Sequence, residues 1–597
     1  MIENLDAVQR ETAFVTDRNP SPLPARRHSL PVKQPEFAMR AALGVGLAAS
    51  LAACGGGSGS VSGSTSSLAG SGSGAGSGSA DVTAAAPITT AGAGRFLAQA
   101  TLGFSRADVQ ALQSTTYASW IDAQFAAPRT QGHCDWLAAN GYSSSTYINN
   151  ASGLDNSIWR KFISSPDALR QRMVLALSEI CVVSVLGVNA QWRQFSVGNY
   201  LDILEANAFG NYRSLLQQIS LSPAMGYYLT FRGSLKANPA TGSEPDENYA
   251  RELMQLFTIG LQMLNADGST QTNAAGAPIE TYTQSDVSGL ARVFTGWNVD
   301  VSGLTKPYPP DYQQRPMVSI AANYETGSKT FLGTTIPAGT SASDNLTKAL
   351  DTIFNHPNLP PFVAKQLIQH LVTSNPSPAY VARVSGVFAN NGAGVRGDLR
   401  AVIKAILLDF EARDAASASS PTYGKLREPV VRFLNWARAY KATSPSGVWN
   451  VGDLSDPATR LGQSPMRSSS VFNFFRPGYV PPSTALAAQG LTGPEFQITN
   501  ESSVAGYVNF MQRTISGLGL GDLAADYSSL LPLAGNSASL LAEINQVLAA
   551  SQLSAATLNT LQAALDTIPA STPSGALNRL HAALTLVMAS PEYIAQK

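Results

Sequence analysis

The sequence predicts an all-α protein: a large multi-helix fold of two closely packed helical lobes, with an irregular or small β-hairpin insertion between them. Three observations predict it. Serine precedes proline at Ser165-Pro166, Ser222-Pro223, Ser377-Pro378 and Ser590-Pro591, which puts a capping hydroxyl ahead of a first helical residue that needs no amide hydrogen. Capping boxes stand at Ser105-x-x-Asp108 and Thr283-x-x-Asp286, each before an apolar run. In 362–372, Val363, Leu367 and Leu371 recur at helical spacing with Ile368 and Val372 beside them, whereas alternating strand patterns are sparse.

In chain order, residues 1–53 read as a polar leader followed by a signal peptide. Arg40 supplies positive charge, 41–53 form a short apolar run, and Leu51-Ala52-Ala53-Cys54 resembles a bacterial lipobox. Cleavage there leaves Cys54 as a lipid-modified N-terminus. The apolar run rises only ~20 Å as a helix, short of the roughly 30 Å hydrocarbon core, so it anchors rather than spans. Translation from Met39 fits better than a twin-arginine export signal, because Arg26-Arg27 lies far ahead of the apolar run. Residues 54–91 read as the lipidated cysteine and a Gly/Ser-rich linker, a flexible coil that holds the body about 25–30 Å from its anchor.

The N-terminal helical lobe is expected over 92–300, with helices at 169–183 and 249–257. An irregular connection follows over 301–343, rich in turn residues such as Pro307, Pro309, Pro310 and Pro316. The C-terminal lobe, 344–597, carries helical patterns at 362–372, 399–408, 429–439, 537–549 and 577–588.

Composition narrows the partners. Lys+Arg and Asp+Glu are 40 each, and charged residues make up only 13% of the chain, against about a quarter in a typical soluble protein. No block of cations exists to neutralise phosphates, which argues against nucleic acid. Low charge with abundant Ser, Thr, Asn and Gly suits an exported surface. With Cys54 lipidated, Cys134 and Cys181 remain to pair in an oxidising compartment, although Cys181 sits in an apolar run where a buried free thiol is the commoner state.

Three long motifs carry a resemblance: Arg95-Phe96-Leu97-Ala98-Gln99-Ala100-Thr101-Leu102-Gly103, the run from Glu247 to Gly260, and Tyr282 through Trp297. With Lys329-Thr330-Phe331-Leu332-Gly333 and Ser590-Pro591-Glu592-Tyr593, they resemble the bacterial family called domain of unknown function 1800. The resemblance covers nearly all of the chain after the linker. It implies an exported, largely helical envelope protein, often encoded beside a second exported family. Many relatives carry Trp-His-Asn-His where this chain has Leu177-Ser178-Glu179-Ile180, and His-Asp where it has Tyr324-Glu325, so a histidine-based metal site does not transfer.

The remaining histidines, His133, His356, His370 and His581, show no His-Glu-x-x-His spacing, and no metal site is expected. No serine elbow, phosphate loop or dinucleotide fingerprint is present, so no cofactor is expected either. The densest polar cluster is Asp246, Glu247, Asn248, Arg251 and Glu252. Its structural reading is a helix N-terminus with a Glu247–Arg251 ion pair four residues apart. Its catalytic reading makes Glu247 or Glu252 an acid or base oriented by Arg251, with Asp286 or Glu179 as second carboxylate.

Phe472-Asn473-Phe474-Phe475-Arg476-Pro477-Gly478-Tyr479 forms a second cluster. Core packing is its ordinary role; Asn473, Phe475 and Arg476, with Trp297, are the ligand-binding candidates. The function expected is an exported, lipid-anchored cell-envelope component for binding or assembly. Its partners are the membrane through the N-terminal lipid and a second exported protein or a glycan. Gly55 after the cysteine gives the outer membrane a slight preference. The competing reading is a carboxylate-dependent hydrolase acting on polysaccharide or peptidoglycan.

Overall fold

The structure, a computed structural model, describes residues 87–597. The expected signal peptide, the expected lipid site at Cys54 and most of the expected linker lie outside the described residues. α-Helices dominate, and the strands among the described residues form three two-stranded antiparallel sheets, too narrow to make a layer.

Local chemistry sets the helix starts. Both expected capping boxes form, Ser105 with Asp108 ahead of Arg106–Gln113 and Thr283 with Asp286 ahead of Gln284–Ala291. Ser377 and Ser590 each accept from the backbone amide three residues on, opening Pro378–Ala389 and Pro591–Ile594. Ser222 precedes Pro223–Tyr228 without a side-chain bond. Ser165 differs: it closes Leu154–Ser164, its hydroxyl bonds Thr130 Oγ1 at 2.8 Å, and Ala168–Ile180 starts behind Asp167 instead.

The turn-rich connection holds two small antiparallel pairings. Trp297–Asn298 pairs with Val318–Ser319, and Lys329–Phe331 pairs with Thr334–Ile336. The third sheet pairs Lys425–Leu426 with Ala595–Gln596 and so ties the C-terminal residues to the middle of the chain.

One apolar cluster runs from Ala93 to Tyr593, shared by the 92–300 and 344–597 segments. Trp159 meets Phe433 edge-on at 5.4 Å between ring centres. The buried Arg438 guanidinium donates to the carbonyls of Gly103, Phe162, Ile163 and Ser165. Gly103 is required there: a Cβ would lie 2.6 Å from Asn435 Cα, inside the helix Pro429–Ala439. Cys134 and Cys181 are separate, buried free thiols. No helix among the described residues is long and apolar enough to cross a membrane.

Candidate active-site cleft

Helix Ala168–Ile180 is buried on nearly every face. That suits a central helix, yet it carries Arg172 and Glu179, seven residues and thus about two turns apart on one face. Against it packs helix Leu359–Leu371, whose inner face presents Gln366, Gln369 and His370. The short strand Lys425–Leu426 and the start of helix Pro429–Ala439 add Lys425 and Glu428. A 3-10 turn, Pro494–Ile498, adds Glu495.

These segments, distant in sequence, meet in one polar cluster. The side chains of Glu428, Glu495 and Lys425 are almost wholly buried, and that of Glu179 is 5% exposed. Lys425 Nζ lies 3.0 Å from Glu495 Oε1 and donates to the His370 carbonyl at 2.9 Å. Arg172 Nη2 donates to that same carbonyl. Gln463 Nε2 donates to Glu428 Oε2 at 2.9 Å and to Glu179 Oε1 at 3.4 Å, while its own oxygen accepts from Val430 N.

Three carboxylates against Lys425 and Arg172 leave one uncompensated negative charge. Burial, and then the neighbouring Glu179 carboxylate, push the Glu428 carboxyl up to about 7. Burial also raises Glu179. His370 goes the other way, down to about 4, because burial and the Lys425 cation disfavour its charged form, so at neutral pH it is a neutral imidazole.

Glu179 lies where three cavities converge. The largest is an open cleft of about 470 Å³ walled by Leu256, Leu261, Leu264, Phe362 and Phe472, with Gln255, Gln262, Gln366, Gln369, Lys365 and Arg476 among its polar groups. Gly260 shapes one wall: at φ 70° it leaves room for the Phe362 ring, which a Cβ would meet at 2.6 Å. Two cavities of about 10 Å³ flank Glu179, one lined also by Ser464, Ser468 and Asn473, the other by His370, Asn473 and Glu495.

The expected ligand-binding residues divide. Arg476 is exposed at the cleft mouth, its guanidinium 4.5 Å over the Phe472 ring. Asn473, in the left-handed region at φ 59°, and the buried Phe475 line the small cavity below. Trp297 lies elsewhere in the core, donating its indole N–H to the Val293 carbonyl at 3.1 Å.

The expected catalytic residues occupy another region. Glu247 accepts from Arg251, Gln284 and Ser288, joining Asn248–Gln255 to Gln284–Ala291 at the surface. Asp286 completes its capping box and accepts from Leu332 N at 2.7 Å. Glu252 alone is left with an unpartnered buried oxygen, Oε2, and burial pushes its carboxyl up to about 7.

The sequence offers Glu179 only as a second carboxylate, and His370 only as one of four histidines without metal-ligand spacing. It does not point to Glu428, Lys425 or Glu495. The available signal was charge in an apolar setting: Arg172 and Glu179 inside a buried helix, and Lys425 and Glu428 before an apolar one.

The profile of the family described as "Protein of unknown function (DUF1800)" matches residues 95–595. No curated protein and no solved structure matches the chain.

Proposed function

This chain belongs to the DUF1800 family, and we propose that it is an exported envelope protein, tethered through a lipid on Cys54, that binds a glycan in the cleft above Glu179. The cleft carries the proposal. Its walls are largely apolar and aromatic, and its polar groups include four amides and two cations, the mixture that holds a sugar's C–H face while satisfying its hydroxyls. Lys365 and Arg476 favour an acidic sugar. The lipobox and the Gly/Ser tract support a lipid tether, with Gly55 favouring the outer membrane.

Binding fits better than two-carboxylate glycoside hydrolysis. Glu179 and Glu428 bring carboxylate oxygens within 4.8 Å of each other, whereas retaining glycosidases hold their carboxyl groups about 5–5.5 Å apart and inverting ones further. The test is calorimetric titration of the lipid-processed protein with acidic envelope oligosaccharides. Arg476→Ala and Gln369→Ala should each weaken binding by about tenfold, the loss of one charge-assisted or well-placed hydrogen bond. Absence of binding by the unaltered protein sinks the proposal, and turnover of the oligosaccharide abolished by Glu179→Gln replaces it with a hydrolase.

A further inference from the structure

We propose that Glu179, His370 and Glu428 bind one divalent first-row transition-metal ion at the floor of the cleft. Each offers a donor atom, and the three atoms lie within 4.8 Å of one another. They come from three different elements that the fold holds rigidly: the end of a buried helix, the last turn of a second and the residue before a third.

The contacts between the donors are those of shared ligands rather than of a closed hydrogen-bond network. Glu179 Oε2 lies 3.1 Å from His370 Nδ1, yet it accepts no aligned hydrogen bond. Two donors around a tetrahedral ion with bonds of about 2.1 Å stand roughly 3.4 Å apart, each aimed at the ion and neither at the other. Glu428 Oε1 likewise accepts nothing, and Lys425 Nζ, the cation beside it, lies 3.7 Å away, beyond hydrogen-bond reach.

Buried carboxylate oxygens left this way carry a desolvation penalty that something must offset. A proton shared between Glu179 and Glu428 would satisfy one contact. A dication satisfies all three donors and converts the residual negative charge of the cluster into a single positive one. The adjoining cavity of about 10 Å³, lined by Glu179, His370, Asn473 and Glu495, has the volume of one water-sized ligand. The largest donor separation must close by about an ångström to reach bonding geometry.

The donor set fixes the class of ion. One imidazole with two carboxylates is too nitrogen-poor for copper and lacks the thiolates of closed structural zinc sites, whereas it suits Zn²⁺, Mn²⁺ or Fe²⁺ with coordination positions left open. Glu179 lines both the cleft and the small cavity beside His370, so the ion would lie next to a ligand bound in the cleft. The inference thereby deepens the glycan-binding reading and rests on it only for what the open position faces.

The test uses the full mature chain, stripped with chelator and titrated with Co²⁺ as a visible-absorbing probe and with Zn²⁺ by calorimetry. One ion per chain is expected. Loss of an outer-shell partner alone weakens metal sites by about 10–100-fold, so removing a ligand in His370→Ala or Glu428→Gln should exceed about 100-fold. Glu179→Gln, nearly isosteric, serves if His370→Ala fails to fold. An unaltered, folded protein that takes up no ion overturns the inference, as does binding that survives all three changes. Oligosaccharide binding by a protein that takes up no ion would overturn the metal site and leave the cleft reading standing, whereas metal uptake without oligosaccharide binding would do the reverse.

Discussion

Two acidic clusters in this protein look alike in composition and differ in almost everything else. Glu247, Arg251 and Asp286 stand near the surface, and every carboxylate there has partners on its own or the adjoining helix. Glu179, Glu428 and Glu495 are buried, come from segments up to three hundred residues apart, and retain oxygens that accept no hydrogen bond. The first cluster ends helices and joins two of them. The second has no such structural account, because a fold that needed only stability would have filled the position with apolar side chains at no greater cost.

The largest expected effect breaks the comparison if it is absent. Lys425→Met removes the cation that faces Glu495 and the His370 carbonyl and leaves three carboxylates in a dry site. Breaking a buried pair from one side costs about 3–5 kcal/mol. Urea denaturation of the variant should show that loss; a change below about 1 kcal/mol would mean that water reaches the cluster freely and that it resembles the surface one after all.

A smaller effect belongs to the residue that lies between the two regions. Glu252 shares a helix with Arg251 and has its carboxyl raised to about 7 by burial, with Arg251 opposing. Below about pH 4.5 both native and unfolded chains hold this proton. As pH rises towards 7 the unfolded chain gives it up and the native one keeps it, so stability falls through that window and levels above it. A shift from 4.5 to about 7 corresponds to a contribution of about 3 kcal/mol. Glu252→Gln should flatten it: the difference in melting temperature between variant and unaltered protein should grow between pH 4.5 and 7 in favour of the variant. A difference that stays constant across that range would show Glu252 to be solvated, like Glu247.

The same contrast explains what the sequence could reveal. Helix starts were legible because a cap is a local device: Ser105 with Asp108 and Thr283 with Asp286 act within four residues. The Glu247–Arg251 pair was legible for the same reason, and its density drew attention away from the interior. The cluster at Glu179 depends on the crossing of helices 168–180 and 359–371 and on Lys425–Leu426 pairing with the C-terminal residues. None of that is encoded in spacing. Asn473 and Arg476 were legible as a turn bearing aromatic and polar groups, but not as the roof of a carboxylate site.

The smallest effect sharpens the comparison most directly. Arg251 donates to Glu247 Oε2 at 3.0 Å, four residues away, with both side chains about one third exposed. An exposed pair at that spacing contributes about 0.3–0.5 kcal/mol, since water screens the charges and ordering two long side chains offsets much of the gain. Glu247 would also keep Gln284 and Ser288 as donors after Arg251→Ala, so the carboxylate would not be stranded. Urea denaturation should therefore shift by no more than about 0.5 kcal/mol, and moderate salt should shrink even that. A loss approaching that of Lys425→Met would mean that Arg251 supports a buried charge, and the place to search would be Glu252, whose Oε2 lies unpartnered one residue along the same helix.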